Sequence, residues 1–282
     1  MAPEKKTEVV VQDWLLTANS DLECAELLYS GKKYSQALYY LQQSNEKLAK
    51  GLLISFGILT PKVAKKDQRI KALLGFTPKQ PQAYRHNITH SFVSDVEKMV
   101  PSIEHVYKLI IEAGLDPQIA HFKNTIQNSK KGLQTLKKKP FCLIENDLQL
   151  QNEILAANHI LSALDSTMDK VNEEIDNLNF AEIVRVAHNI AGIPPTTETM
   201  EDYSQKRVKN NVVSSLNISI LTTLSVAMAS FLDPLEAVTR YPDSANSRFD
   251  ETNPYVKQFK QIQDLIASTL ERSEKMNEKA HK

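Results

Sequence analysis

The sequence predicts an all-α fold, an antiparallel helical bundle. Three observations carry that expectation. Apolar residues recur every three or four positions along most of the chain, the spacing that lines one face of an α-helix. Only seven of 282 residues are glycine. Glycine disfavours helix interiors and β-folds need it at turns, so scarcity suits long helices. No segment shows the strict apolar–polar alternation of a half-buried strand, and no internal repeat is evident.

The first helix is drawn by Val11, Trp14, Ala18, Leu22, Ala25 and Leu28, with Gly31 as its stop. A second starts at Ser35, places Leu38, Leu41, Leu48 and Leu52 on one side, and ends at Gly57. The short GKKYS turn between them makes the pair an antiparallel hairpin. Thr60 to Gln82 is rich in proline and lysine and reads as a loop. A third helix carries RHNITHSF, Arg85 to Phe92, and runs to about Val100. Pro101 is expected to open a new helix ending near Gly114. Further helices are expected over about Pro117–Leu136, Asn146–Asn177, Phe180–Ile190 and Tyr203–Leu232. GIPPTTET, Gly192 to Thr199, is a linker. Asn253 and Pro254 read as cap and first position of a last helix reaching about Glu274.

Composition excludes some functions. Apolar content of 41% and charged content of 24% are those of a globular chain. Thirty-four basic residues balance thirty-four acidic ones, so no global attraction to a polyanion exists. The most apolar run, Leu216–Leu232, holds Asn217 and several Ser and Thr. It is short for a membrane span and reads as a buried helix, so no membrane partner is expected. Cys24 and Cys142 offer neither a disulfide framework nor a zinc motif. MAPEKKTEVVVQDW has no hydrophobic signal segment, and a cytoplasmic location is expected. Cys24 is expected in the core.

Charge is unevenly spread. Lys62, Lys65, Lys66, Arg69, Lys71, Lys79 and Arg85 share a stretch with Asp67 as its only acid. Lys123, Lys130, Lys131 and Lys137 to Lys139 share another with none, whereas Glu145 to Glu182 is acidic. Such runs are either a nucleic-acid footprint or solvated faces complementary to each other.

RHNITHSF raises the chemical question. If Arg85 to Val100 is helical, Ile88, Phe92, Val96 and Met99 line the core side, and His86 and His90 lie opposite. Three readings compete. The histidines are exposed polar residues, or a metal pair at i and i+4, or part of a phosphate-handling site. A metal would need more ligands, and no HExxH pattern occurs, so no metal or cofactor is expected. Arginine's planar fork suits phosphate, and histidine exchanges protons near neutral pH. Together they can cleave RNA without metal: a base takes the 2′-OH proton, the oxygen attacks phosphorus, and the guanidinium stabilises the phosphate charge. Arg85 and His90 lie about 140° apart on an ideal helix. A non-helical start at Arg85, or a symmetric dimer sharing a cleft, closes that gap. Glu46 and Lys50 also read as an i, i+4 pair of the favoured orientation that requires no function. His188 is unassigned, and His159 is expected to be a packed helix residue.

Three separated pieces give the chain a resemblance to the HEPN family. They are the hairpin Trp14–Gly57 with Gln42, Gln43, Glu46, Lys47 and Lys50 in a Q-Q-x-x-E-K-x-x-K order; Arg85-x4-His90; and TRYPD, Thr239 to Asp243, before the last helix. The resemblance implies a HEPN-like bundle with a helical insertion: residues 1–114 as its N-terminal part, 115–205 as the insertion, and 206–282 as its C-terminal part with the RYPD loop. It implies a metal-independent endoribonuclease, a toxin or defence RNase, acting on RNA as a homodimer. Arg85 and His90 would be catalytic, His86 a supporting polar residue and Glu46 a positioning residue. A nucleotidyltransferase-like antitoxin would be a partner. The alternative is a non-catalytic member that binds nucleotide, RNA or a partner protein.

Overall fold

The computed structural model describes residues 3–60, 87–112, 127, 130–138, 141–176, 205–240 and 249–279. Arg85, His86, the lysine-rich loop, the expected helix Phe180–Ile190 with His188, the GIPPTTET linker, and Tyr241 to Asp243 lie outside them. Among the described residues there are helices and no strand. They are α1 (Pro3–Ser30), α2 (Tyr34–Ser55), α3 (Ile88–Glu112), α4 (Asp147–Asp176), α5 (Gln205–Thr239), the short α6 (Pro254–Lys257) and α7 (Phe259–Lys279). Residues 130–138 form a further helical segment.

The hairpin is the foundation. α1 packs along α2, with Val11, Leu15, Ala18, Leu22 and Ala25 buried against Leu41, Leu48 and Leu52. Gly51 lets the two backbones approach. A Cβ there would stand 3.3 Å from the Trp14 Cβ and 3.5 Å from the Leu15 Cδ2. Cys24 is half-buried rather than in the core, because it sits at the edge of the α1 stripe. Gly57, at φ +80°, ends α2. Its N–H bonds the Ile54 carbonyl at 3.0 Å and the Ile58 N–H bonds the Leu53 carbonyl at 3.0 Å, a Schellman stop. α1 ends in the same way but not on its glycine. Lys32 takes the left-handed conformation, φ 58°, one residue beyond Gly31.

α2 is not the one-sided helix that its leucines suggest. It lies between α1 and α5 and also touches α7, so it is buried nearly all round, including Gln42, Ser44, Asn45, Glu46 and Lys50. Polar residues survive there because each has a partner. The Ser44 hydroxyl donates to the Ala18 carbonyl at 2.7 Å, and the Asn45 amide donates to the Ser225 carbonyl at 3.2 Å.

Two prolines do not break their helices. α3 runs through Pro101 to Glu112 as one helix, correcting the expected break. A proline costs one backbone bond and some crowding. Here Val96, Met99 and Val100 rest on the core just before it and hold the helix direction. α5 runs through Pro234 to Thr239, seven residues past the expected end at Leu232. Val213–Thr239 is long and apolar enough to cross a membrane. In this fold Leu221, Leu224, Met228, Phe231, Leu232 and Leu235 are buried inside the bundle instead. Its hydroxyls bond back into the helix, as with Thr222 to the Ile218 carbonyl at 2.6 Å.

The later elements share the same core. Leu133, Leu150, Ile154, Ala157 and Leu161 are buried with the hairpin's leucines, and α4 packs along α5. Asn146 caps α4 by accepting the Gln149 N–H at 3.0 Å. His159 is exposed on α4, not packed as expected, because the buried stripe of that helix runs through Ile154, Ala157 and Leu161. Asn253 caps the C-terminal helix, accepting the Tyr255 N–H at 2.9 Å, with Pro254 in the first turn. The expected single helix is interrupted at Gln258, whose buried side chain donates to Asp147 Oδ1 at 2.9 Å. The buried Tyr255 hydroxyl donates to the Phe231 carbonyl at 2.9 Å and accepts the Ile144 N–H at 3.3 Å. Burial pushes that phenol well above its usual range.

Candidate nucleic-acid interface at the start of helix α3

The RHNITHSF stretch is not one helix. Asn87 is outside it, and α3 begins at Ile88. The Asn87 side-chain oxygen accepts the His90 N–H at 3.0 Å, so Asn87 is an N-cap. α3 is thus capped at Asn87 and begins at Ile88, and the expected separation of Arg85 and His90 falls on a residue outside the described ones. On the core side the expected pattern holds: Ile88 and Phe92 are buried, and Val96 and Met99 pack on the core.

Two contacts from α5 pin the first turn of α3. Asp233 Oδ2 accepts the Ile88 N–H at 2.9 Å, and the Thr89 hydroxyl donates to the Val226 carbonyl at 3.2 Å. His90, next in the chain, is exposed. Amides at the start of a helix often hold an anion. Here the Ile88 and His90 amides already serve Asp233 and Asn87, so a bound phosphate would have to be held by side chains.

Asp233 lies at the centre of a buried polar seam between α2 and α5. It is 2% exposed. Burial is the chief cause that pushes its carboxyl well above the usual range, and the nearby Glu46 adds to it. The Ile88 and Thr89 amides and the Gln42 side chain oppose that shift. Oδ1 has no hydrogen-bond partner. The seam thus favours a neutral Asp233 beside Glu46. Glu46 itself accepts from Lys50 Nζ at 2.6 Å and from Gln42 Nε2 at 3.2 Å. Lys50 also stands 5.8 Å from the centre of the Trp14 ring. The Glu46–Lys50 pair is buried, since both side chains are 7% exposed. Lys47 turns the other way and pairs with Asp21 of α1.

An open hollow borders His90. Asn87, Lys137, Phe141 and Ser230 help to line it. The basic run thus meets the histidine here, in part as a complementary surface: Lys137 pairs with Glu97 of α3 at 2.9 Å, and Lys130 pairs with Glu104. Among the described residues no group of His, Cys, Asp and Glu side chains could hold a metal ion.

Asp233 escaped sequence reasoning, although a lone acid inside the apolar run FLDP was a signal. A buried acid is rare unless it is partnered. Phe141 carried no signal, because its neighbours in the hollow come from other elements.

No curated protein and no solved structure matches the chain. The family model described as the HEPN domain matches residues 11–99, a span that holds most of α1, all of α2 and the first half of α3. That domain ties the chain to nucleotide- or RNA-related function in general. The hairpin, the buried Gln42–Glu46–Lys50 row and the capped start of α3 thus lie within the span, residues 11–99, over which the chain is similar to the HEPN domain.

Proposed function

We propose that the protein is a metal-independent endoribonuclease of the HEPN type that acts as a homodimer. Arg85 and His90 form the catalytic pair, with His86 in support and Glu46 positioning from below. The observation that carries this reading is the exposed His90 on a first turn held by the buried Asp233. A proton-transfer group needs access to substrate and a fixed backbone.

In the reaction, His90 takes the 2′-OH proton. O2′ then attacks phosphorus, the bond from phosphorus to O5′ breaks, and O5′ takes up a proton from solvent. The products are a 2′,3′-cyclic phosphate and a 5′-hydroxyl. The Arg85 guanidinium stabilises charge on the phosphate oxygens. A nucleotidyltransferase-like antitoxin is the proposed restraint on that activity.

The test is incubation of wild type, Arg85→Ala and His90→Ala with single-stranded and transfer RNA in EDTA, with analysis of product ends. Wild type is expected to leave cyclic phosphates, and each variant to leave RNA intact. Because the His90 side chain is exposed, its variant should melt with wild type. Cleavage by His90→Ala at the wild-type rate would sink the assignment. RNA that is shifted in a salt-sensitive way but left uncut by wild type would establish the non-catalytic binding module instead.

A further inference from the structure

The hollow beside His90 contains groups that the cleavage chemistry does not use. Phe141 is 54% exposed and belongs to the segment leading into α4. No aromatic ring of the described residues stacks on it. Lys137 lies on the same hollow. Its pair with Glu97 is exposed on both sides, at 53% and 36%, and such a pair is weak enough to be exchanged for another anion. Asn87 and Ser230 add polar groups to the lining.

A free aromatic face beside a cation and an imidazole fits one nucleotide of a single strand. Bases of any sequence stack on such a ring while a basic group tracks the backbone. A lipid surface would need a continuous apolar patch, whereas here one ring stands among polar groups.

We propose that Phe141 is the base-stacking platform of a nucleotide subsite in this hollow. Lys137 holds the adjoining phosphate, and His90 faces the next linkage. The subsite deepens the ribonuclease reading and rests on it only for the cleavage step. Stacking strength gives it a modest preference for purines.

The test uses the full chain and a single-stranded 2′-fluoro RNA oligonucleotide, which lacks the attacking hydroxyl, with 2-aminopurine at successive positions. Wild type is expected to bind it and quench the probe at one position. Phe141→Ala, at an exposed site, should melt with wild type, bind roughly 5- to 100-fold more weakly and lose the quench. Phe141→Trp should restore both. Lys137→Gln should weaken binding and lower the salt dependence by about one phosphate contact. Equal affinity and equal quenching by wild type and Phe141→Ala would overturn the subsite. Wild type that stacks the probe but leaves ordinary RNA uncut would remove the ribonuclease reading and leave the subsite standing. Wild type that binds no oligonucleotide removes both.

Discussion

Asp233 Oδ2 accepts the Ile88 N–H at 2.9 Å across 145 positions of sequence. One buried carboxyl of α5 therefore sets where α3 begins and where the His90 backbone stands. Asp233→Asn keeps an acceptor oxygen of the same shape and should keep the turn. Asp233→Ala leaves a donor without a partner at the fully buried Ile88, a loss of about 1–3 kcal/mol. Urea unfolding measures that loss, and hydrogen exchange over residues 87–93 locates it. Equal protection of that stretch in wild type and the alanine variant would show that Asp233 does not hold it.

The same carboxyl makes stability depend on pH. Its folded pKa lies well above the unfolded value, first because it is buried and then because Glu46 is near. The folded state thus keeps a proton that the unfolded chain releases. The stabilisation is complete below the unfolded pKa, about 4, and is lost as pH rises toward and through the folded one. Asp233→Asn removes this term, so its stability relative to wild type should climb from pH 5 to pH 9. Parallel profiles in urea would mean that Asp233 is ionised in the fold.

Glu46 and Lys50 form a second buried charge relationship, 2.6 Å apart. Removing one member of a buried pair leaves an uncompensated charge and costs about 3–5 kcal/mol, whereas replacing both costs far less. Lys50→Met should therefore be severely destabilised, and Glu46→Gln with Lys50→Met should recover most of the loss. A double-mutant cycle in urea gives the coupling. Additive losses would place the pair among the weak surface bridges.

Most of the helices were legible because their signals are local. The Val11–Leu28 stripe, the Gly57 stop and the Asn253–Pro254 start depend on neighbours within a few residues. The expected break at Pro101 and the expected end at Leu232 fail because tertiary packing, which no window contains, outweighs the loss of one backbone bond at a proline. The candidate site divides in the same way. His90 was found from its spacing to Arg85. Asp233 and Phe141 reach the same region from α5 and from the segment before α4, and only folding brings them there. The burial of Gln42, Glu46 and Lys50 is not legible, because a buried polar row looks like an exposed one until its partners are known.

The end of α1 supplies the last prediction. Gly31 reads as the stop, but Lys32 carries the positive φ of 58°. Its N–H bonds the Tyr29 carbonyl at 2.9 Å, and the Lys33 N–H bonds the Leu28 carbonyl at 2.8 Å. A side chain in this conformation is strained by its Cβ, and glycine relieves that strain. Lys32→Gly loses only an exposed pair with Glu251, 76% and 69% accessible, and Glu251 keeps its bond from the Tyr34 hydroxyl at 3.1 Å. The melting temperature should rise by about 2 °C, a small shift for a chain of this size. A Cβ at Gly31 would meet the Leu27 carbonyl oxygen at 3.5 Å, an ordinary contact, so Gly31→Ala should leave melting unchanged. Lys32→Val should lower it, because a β-branched side chain tolerates positive φ least. The opposite ranking, with Gly31→Ala harmful and Lys32→Gly neutral, would return the stop to the glycine.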